Sequence, residues 1–185
     1  MREISLNILD IAQNSITANA TEIRIDVRVD TKSNRLKVSV ADNGCGMSEE
    51  FLRRVTDPFT TTRTTRKVGL GIPLFKDSAE STGGSFEIKS KQGEGTTTTA
   101  VYVLDSIDRM PLGNLQDTIA LLIMAKESIR YIFTYSVDGD EFVFDTDEVK
   151  NILGDVPLSS TEVIAFLKEY IENGIKNSNG GKQIL

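Results

Sequence analysis

From residue 22 to residue 29 apolar and polar side chains alternate without a break, Ile23, Ile25, Val27 and Val29 against Glu22, Arg24, Asp26 and Arg28. A period of two is that of a strand with one buried face. The polar turn Asp30 to Asn34 leads to a second such segment holding Leu36, Val38 and Val40, so the pair reads as a hairpin. Before it, Ile4, Ile8, Leu9, Ala12 and Ile16 recur at helical spacing and predict a helix over 3–18. Its other side is a polar stripe of Glu3, Asn7, Asp10, Asn14 and Thr17. After the hairpin, Asp42 to Gly46 is a loop by composition, and Ser48 with Glu50–Arg54 starts a short helix. Residues 56–68 hold six threonines, two arginines and a lysine with little apolar content, and read as a mobile loop. Gly69-Leu70-Gly71 opens another helix, with Pro73 tolerated in its first turn and Gly83-Gly84 ending it. Phe86 and Ile88 mark a strand, Gly93-Glu94-Gly95 a turn, and 96–104 a β-branched strand.

The pattern changes at Met110-Pro111. Residues 114–126 read as an apolar helix, Ile129 to Val137 as a strand, Asp138-Gly139 as a hairpin turn and Phe142 to Phe144 as the return strand. Helices near 146–153 and 160–173 follow, the latter capped by Ser159 or Ser160. Val163, Phe166, Leu167, Tyr170 and Ile171 share its apolar side, and the favoured reading packs them on the 129–144 hairpin, where Tyr131, Phe133, Phe142 and Phe144 alternate as core residues should. The tail from Asn177 to Lys182 reads as frayed. The chain divides into 1–104 and a smaller α+β extension, 105–185.

Composition narrows the function classes. The 185 residues carry a net charge of −6 and a pI of about 4.8, which argues against nucleic acid as the main partner while leaving room for a local basic loop. The single cysteine, Cys45, permits no intramolecular disulfide and reads as a small residue filling a turn. With no signal-peptide pattern and no apolar run of the roughly 20 residues that span a bilayer, the expectation is a cytoplasmic protein with no membrane partner. There is no histidine, which removes histidine catalysis, metal ligation and self-phosphorylation on histidine together.

Three features then occur in one order. Asp10 and Asn14 stand one turn apart on one helix face. A carboxamide oxygen suits magnesium, which takes few protein ligands and several phosphate oxygens, and a carboxylate one turn away can orient or deprotonate a water. Taken alone, the same stripe reads first as the solvated face of a helix, since polar stripes usually face water. Asp42-x-Gly44-x-Gly46 follows a strand, where a carboxylate can accept from an exocyclic amine and glycines allow close approach of backbone to a ring. Gly69-Leu70-Gly71 stands at a helix start, whose N–H groups favour phosphate.

In that order the motifs resemble those of the GHKL ATPase superfamily. Leu9-Asp10-Ile11-Ala12-Gln13-Asn14-Ser15 with Ala18-Asn19-Ala20-Thr21-Glu22-Ile23 resembles its N box, in the form seen in mismatch-repair members. Asp42 to Met47 resembles the first glycine box, and Asp57-Pro58-Phe59-Thr60-Thr61-Thr62 the F box of sensor histidine kinases. Gly69 to Ile72, with Lys76, Glu80 and Gly83-Gly84, resembles the second glycine box, and Gly93 to Thr96 the third. The resemblance covers residues 1 to about 104. It implies the Bergerat fold, an α+β two-layer sandwich with a mixed, mostly antiparallel sheet and helices on one face. It implies ATP and Mg2+ as cofactors, with Asn14 the magnesium ligand and Asp42 the adenine anchor. Gly44, Gly46 and Met47 would flank the base, and Gly69, Leu70, Gly71, Thr96 and Thr97 would complete the site. Residues 56–68, with Phe59, Thr62, Arg63 and Lys67, would form a lid over the phosphates.

There are departures. Asp10, the implied catalytic residue, stands where hydrolysing members hold glutamate, so hydrolysis is expected to be slow or to need a partner. Lys67 replaces a usual glycine. The chain begins almost at the N box, without the strand that precedes it in kinases, and the 129–144 hairpin is expected to cover part of what this leaves open. A detached hairpin would refute that expectation. Three functions stay open: a kinase subunit acting on an unidentified partner protein, a slow ATPase with Asp10 as general base, and a non-hydrolysing switch. The partner-acting kinase or regulator leads, with 105–185 as a partner surface and dimerisation through it undecided.

Overall fold

The computed structural model describes residues 3–55 and 71–180. Within them lie helices α1 (Ile4–Thr17), α2 (Glu49–Val55), α3 (Gly71–Glu80), α4 (Leu115–Ala125), α5 (Thr146–Leu153) and α6 (Thr161–Ser178), and strands β1 (Glu22–Asp30), β2 (Arg35–Asp42), β3 (Ser85–Lys91), β4 (Gly95–Val103), β5 (Arg130–Val137) and β6 (Asp140–Asp145). The six strands form one sheet in the order β3-β4-β2-β1-β5-β6. Neighbours run antiparallel except β1 and β5, which are parallel in the register Ile23 to Tyr131 through Val29 to Val137. The 129–144 hairpin is therefore not detached. It extends the sheet along the edge of β1.

The alternation in β1 and β2 sets the buried layer. Ile23, Ile25, Val27, Leu36, Val38 and Val40 are all at most 1% exposed. Helices α1, α3, α4 and α6 cover this face, with Ile8, Ile11, Phe75, Ile119 and Leu167 buried against it. Each such side chain contributes about 1.5–3 kcal/mol by leaving water. Helix α1, which carries Asp10 and Asn14, begins without a side-chain cap. Its first amides instead reach the carbonyls of Pro111 and Leu112, at 3.0 Å from Ile4 and 2.8 Å from Ser5. Asp138 and Gly139 both adopt positive φ, 52° and 101°, as a two-residue hairpin turn with primed geometry requires.

Four expectations change. Asn7, placed by spacing on a solvated stripe, is fully buried, because α3 packs over that side of α1. Its Nδ2 donates to Ser78 Oγ at 3.4 Å, and Ser78 Oγ lies 3.0 Å from the Tyr102 hydroxyl. Helix α6 continues past 173 to Ser178, which is buried, and Asn179 accepts from the Tyr135 hydroxyl at 2.8 Å, so the chain is held through Asn179, with Asn177 and Gly180 exposed and 181–182 outside the described residues. Gly174 makes this packing possible, since a Cβ there would sit 2.4 Å from the Phe142 ring. Ser160 occupies the N-cap of α6, yet its hydroxyl makes no capping bond, and the Ser159 amide is held by Glu127 at 3.0 Å. Finally, the apolar side of α6 divides. Val163, Leu167 and Ile171 are buried and Tyr170, though 46% exposed, packs edge-on against Phe142 of the hairpin with centroids 5.5 Å apart, whereas Phe166 is 62% exposed and stacks on Tyr170. No helix among the described residues is long and apolar enough to cross a membrane.

Candidate functional site

At the end of β2 the chain turns through Asp42-Asn43-Gly44-Cys45-Gly46, and hydrogen bonds hold the turn in place. Asn43 Oδ1 accepts from the amides of Thr21 and Glu22 at 2.8 and 3.0 Å. The Cys45 amide donates to the Ala18 carbonyl, and the Gly93 amide to the Cys45 carbonyl. Glycine is required at two points. Gly46 has φ +62°, and a Cβ there would meet the Lys91 carbonyl at 2.0 Å. Gly95 has φ +116°, and its Cβ would meet the Asp42 carbonyl at 2.0 Å.

These contacts fix the Asp42 carboxylate. Its Oδ2 accepts from Ser15 Oγ at 2.5 Å and its Oδ1 from the Gly44 amide at 2.8 Å. Each oxygen keeps a second lone pair for a ligand. In front of it lies a cavity of about 370 Å³, walled by Ile11, Val55, Ile72 and Ile88, with Met47 and Phe51 beside them. Ser15, Asp42, Thr96 and Thr98 supply the polar groups, and Asn14 stands on the rim. Apolar walls with a few placed polar atoms suit a flat heteroaromatic ring. Ser90 ties the far wall together, accepting from the Met47 amide at 2.8 Å and lying 2.8 Å from Thr96 Oγ1.

Of the residues expected from sequence, Asn14, Asp42, Gly46, Met47 and Thr96 line the cavity. Gly44 lies behind the wall, where a Cβ would be 2.9 Å from Ala18. Asp10 and Gly71 come together beside it: a Cβ on Gly71 would sit 3.1 Å from Asp10 Cβ and 3.3 Å from Asp10 Oδ2. The carboxylate thus faces the first residue of α3. Thr97 is the exception. It pairs with Ala41 and Lys89 on the opposite face of the sheet, because side chains alternate, and Thr98 takes the inward position. Phe59, Thr62, Arg63, Lys67, Gly69 and Leu70 lie outside the described residues. Sequence reasoning missed Ser15 and Thr98 as lining residues and treated Cys45 as filler, although it is exposed and lines the cavity. A strict two-residue period from Ala100 and Tyr102 back through β4 selects Thr98.

Asp10 and the Asn14 side chain make no hydrogen bond or ion pair within the described residues, so both are available to a ligand. No group of three or more His, Cys, Asp or Glu is placed to hold a metal among these residues. A hard cation sharing one carboxamide with ligand phosphates fits this donor set better than a cage made by protein alone.

An α+β sandwich with a cavity at the ends of its strands, bounded by a carboxylate held on glycine-rich turns, defines a nucleotide-binding domain. Residues 1–106 match the family model described as histidine kinase-, DNA gyrase B-, and HSP90-like ATPase, and the chain belongs to that family. It is similar to the sensor protein kinase FleS of Pseudomonas aeruginosa, 36% identical over 110 residues that cover 60% of this chain and 27% of that protein. A putative sensor protein of Shewanella frigidimarina is 31% identical over 109 residues, covering 58% of this chain and 16% of that protein. The chain thus spans only a minor part of these curated relatives. Among solved structures, the N-terminal domain of a DNA repair protein superposes with a TM-score of 0.52 at 14% identity, over 77% of this chain and 52% of that one, a likeness of fold alone.

Proposed function

We propose that this protein binds ATP with magnesium and acts through it on a partner protein, as a kinase subunit or a nucleotide-dependent regulator in the cytoplasm. The observation that carries this reading is the Asp42 carboxylate, held by Ser15 and Gly44 at the back of an apolar cavity with Asn14 open on its rim. Asp42 would accept from the exocyclic amine of adenine, and Ile11, Met47, Ile72 and Ile88 would sandwich the ring. Asn14 would offer its carboxamide oxygen to the ion, which when bound supplies charge neutralisation to the phosphates. The start of α3 beside Asp10 would face the phosphate end, where backbone N–H groups favour anions.

Transfer to a partner hydroxyl forms an O–P bond to the γ-phosphorus and breaks the bond to the β-phosphate oxygen, releasing ADP. The hydroxyl proton passes to a base, and Asp10, half-exposed and without a partner among the described residues, would take it. The same carboxylate supports a second reading, slow hydrolysis with water as nucleophile. None of the 185 residues is histidine, so no histidine of this chain receives the phosphoryl group. Residues 105–185 supply the partner surface in this reading, supported by the exposed Phe166 and Tyr170.

The test is ATP labelled on the γ-phosphate, added to extract with and without the purified chain. Label on a second protein is the expected outcome for a kinase. Free phosphate that disappears in Asp10→Asn establishes the ATPase instead. Nucleotide binding with neither product establishes the regulator, and magnesium-dependent binding undiminished in Asn14→Ala overturns the site itself.

A further inference from the structure

On the outer side of α6, an exposed ring is continuous with the core. Phe166 stacks on Tyr170 with centroids 6.2 Å and planes 14° apart. Tyr170 meets Phe142 edge-on at 5.5 Å, and Phe142 meets Phe133 at 6.5 Å. Phe133 is fully buried, so a column of four rings anchors Phe166 in the interior. Single exposed apolar side chains are ordinary, and Ile107 and Ile152 are more exposed than Phe166. The carboxylates around Phe166 set it apart. Glu162 stands four residues before it and Glu169 three after, so both border the ring on one helix face. Both are exposed, and neither has an ion-pair partner among the described residues. The two lysines of α6 are engaged elsewhere: Lys168 reaches Asp117 of α4 at 2.5 Å, and Lys176 pairs with Glu172 at 2.7 Å. Residues 105–185 carry 14 acidic against 7 basic side chains, whereas 1–104 carry 13 against 14, so the negative charge of the chain is concentrated on this extension.

We propose that this face of α6 docks an arginine-bearing segment of a partner protein, with the guanidinium laid on the Phe166 ring between Glu162 and Glu169. The face of an aromatic ring is the negative part of its quadrupole and attracts a cation. Tyr170 stacks against Phe166 from one side, and at 62% exposure the ring keeps most of its surface open. A planar guanidinium stacks on such a ring while its N–H groups reach carboxylates on either side. Other occupants fit worse. A second copy of the chain in a twofold contact would set Glu162 and Glu169 against the same two residues. Nucleic acid and anionic bilayers meet the same repulsion. A purely apolar segment would take water from two carboxylates and give them no partner. The inference rests on the reading of 105–185 as a partner surface and deepens it by naming the chemistry the partner presents. It does not draw on the nucleotide cavity. Strand β6, on which α6 packs, lies three strands from β2, about 14 Å across the sheet.

The experiment is fluorescence anisotropy of the whole chain with a labelled peptide of arginine, leucine and alanine, alongside the same peptide with lysine or with glutamine in place of arginine. The arginine peptide is expected to bind in a salt-dependent manner, more tightly than the lysine peptide, and the glutamine peptide not at all. Phe166→Ala should weaken the arginine peptide by at least about tenfold. Phe166→Leu keeps apolar bulk without the ring, and should erase the preference for arginine over lysine. Glu162→Gln with Glu169→Gln should weaken binding and flatten its salt dependence. Glu148→Gln with Asp155→Asn removes the same charge from an exposed region on and after α5, and should leave binding unchanged. That pair separates a docking face from attraction to the acidic extension as a whole. Peptide binding is read without nucleotide and ATP binding in parallel, so failure of one leaves the other standing. Absence of arginine-peptide binding, equal binding of the glutamine peptide, undiminished binding by Phe166→Ala, or an equal loss in the Glu148 and Asp155 variant would overturn the proposal.

Discussion

Around β2 and β4 the covered face of the sheet ends in a cavity of about 370 Å³, whereas across β5 and β6 the same face is filled by Tyr131, Phe133, Tyr135 and Phe144. The side chains explain the difference. On β4 the inward positions nearest the cavity are Thr96 and Thr98, too short to reach α1 and α2. On β5 every inward position is aromatic until Val137. The open end is shaped by hydrogen bonds and glycines: Asp42 by Ser15 and Gly44, the loop by Cys45 to Ala18, and the backbone crossings at Gly46 and Gly95. The closed end is shaped by volume. Binding and stability are thus assigned to neighbouring stretches of one sheet.

The largest expected effect breaks the filled side. Phe133→Ala should cost about 3–5 kcal/mol, because the aromatic core around it cannot collapse. Ile88→Ala, on a wall already facing a void, should cost clearly less. Equal shifts of the urea midpoint would end the distinction between the two regions. Asp42→Asn should weaken ATP by about tenfold to a hundredfold, the loss of a charge-assisted hydrogen bond, with little change in stability. Calorimetry with ATP and with tripolyphosphate checks it, and the polyphosphate should bind as before.

A smaller effect follows from charge on the filled side. Arg130 forms a 2.6 Å pair with the buried carboxylate of Asp145, and its hydrogen bonds hold that carboxyl below its ordinary value. A depressed carboxyl contributes stability that is present above its unfolded value of about 3.9 and is lost as pH falls through the folded value. Urea unfolding at stepped pH should show this loss below about pH 4, and Arg130→Met should flatten it. The smallest effect appears only in alkali. Burial pushes Tyr102, Tyr131 and Tyr135 up to about 12. Stability from a raised phenol is complete below its unfolded value of about 10 and is lost as pH rises toward 12. Absorbance at 295 nm should therefore show three late-titrating tyrosines, one by the nucleotide half and two in the filled half.

Much of the fold was legible because its signals are local. The alternation in β1 and β2, the Asp138-Gly139 turn and the helical spacing of α1 each depend on residues within a few positions of one another. The glycine-rich motifs were legible for a related reason, since Gly46 and Gly95 answer to backbone geometry that no other residue tolerates. Errors came where a residue's surroundings arrive from elsewhere. Asn7 and Asn14 look alike in sequence, two polar residues on one stripe. Ser78 and α3, more than seventy residues on, bury the first and leave the second on the cavity rim. Phe166 looks like Leu167 until α6 is set down on β6, after which one faces water and the other the core.

Element types, the order of the glycine-rich motifs and the absence of any histidine can all be read along the chain, because periodicity, backbone strain and composition need no partner. That β5 runs parallel to β1, that Ser15 holds Asp42 from 27 positions away, and that Arg28 faces Lys37 across the open side of the sheet emerge when the chain is folded. Those outcomes depend on register and on which faces are covered. Both are set by burial summed over the whole sheet, which no short window of sequence contains.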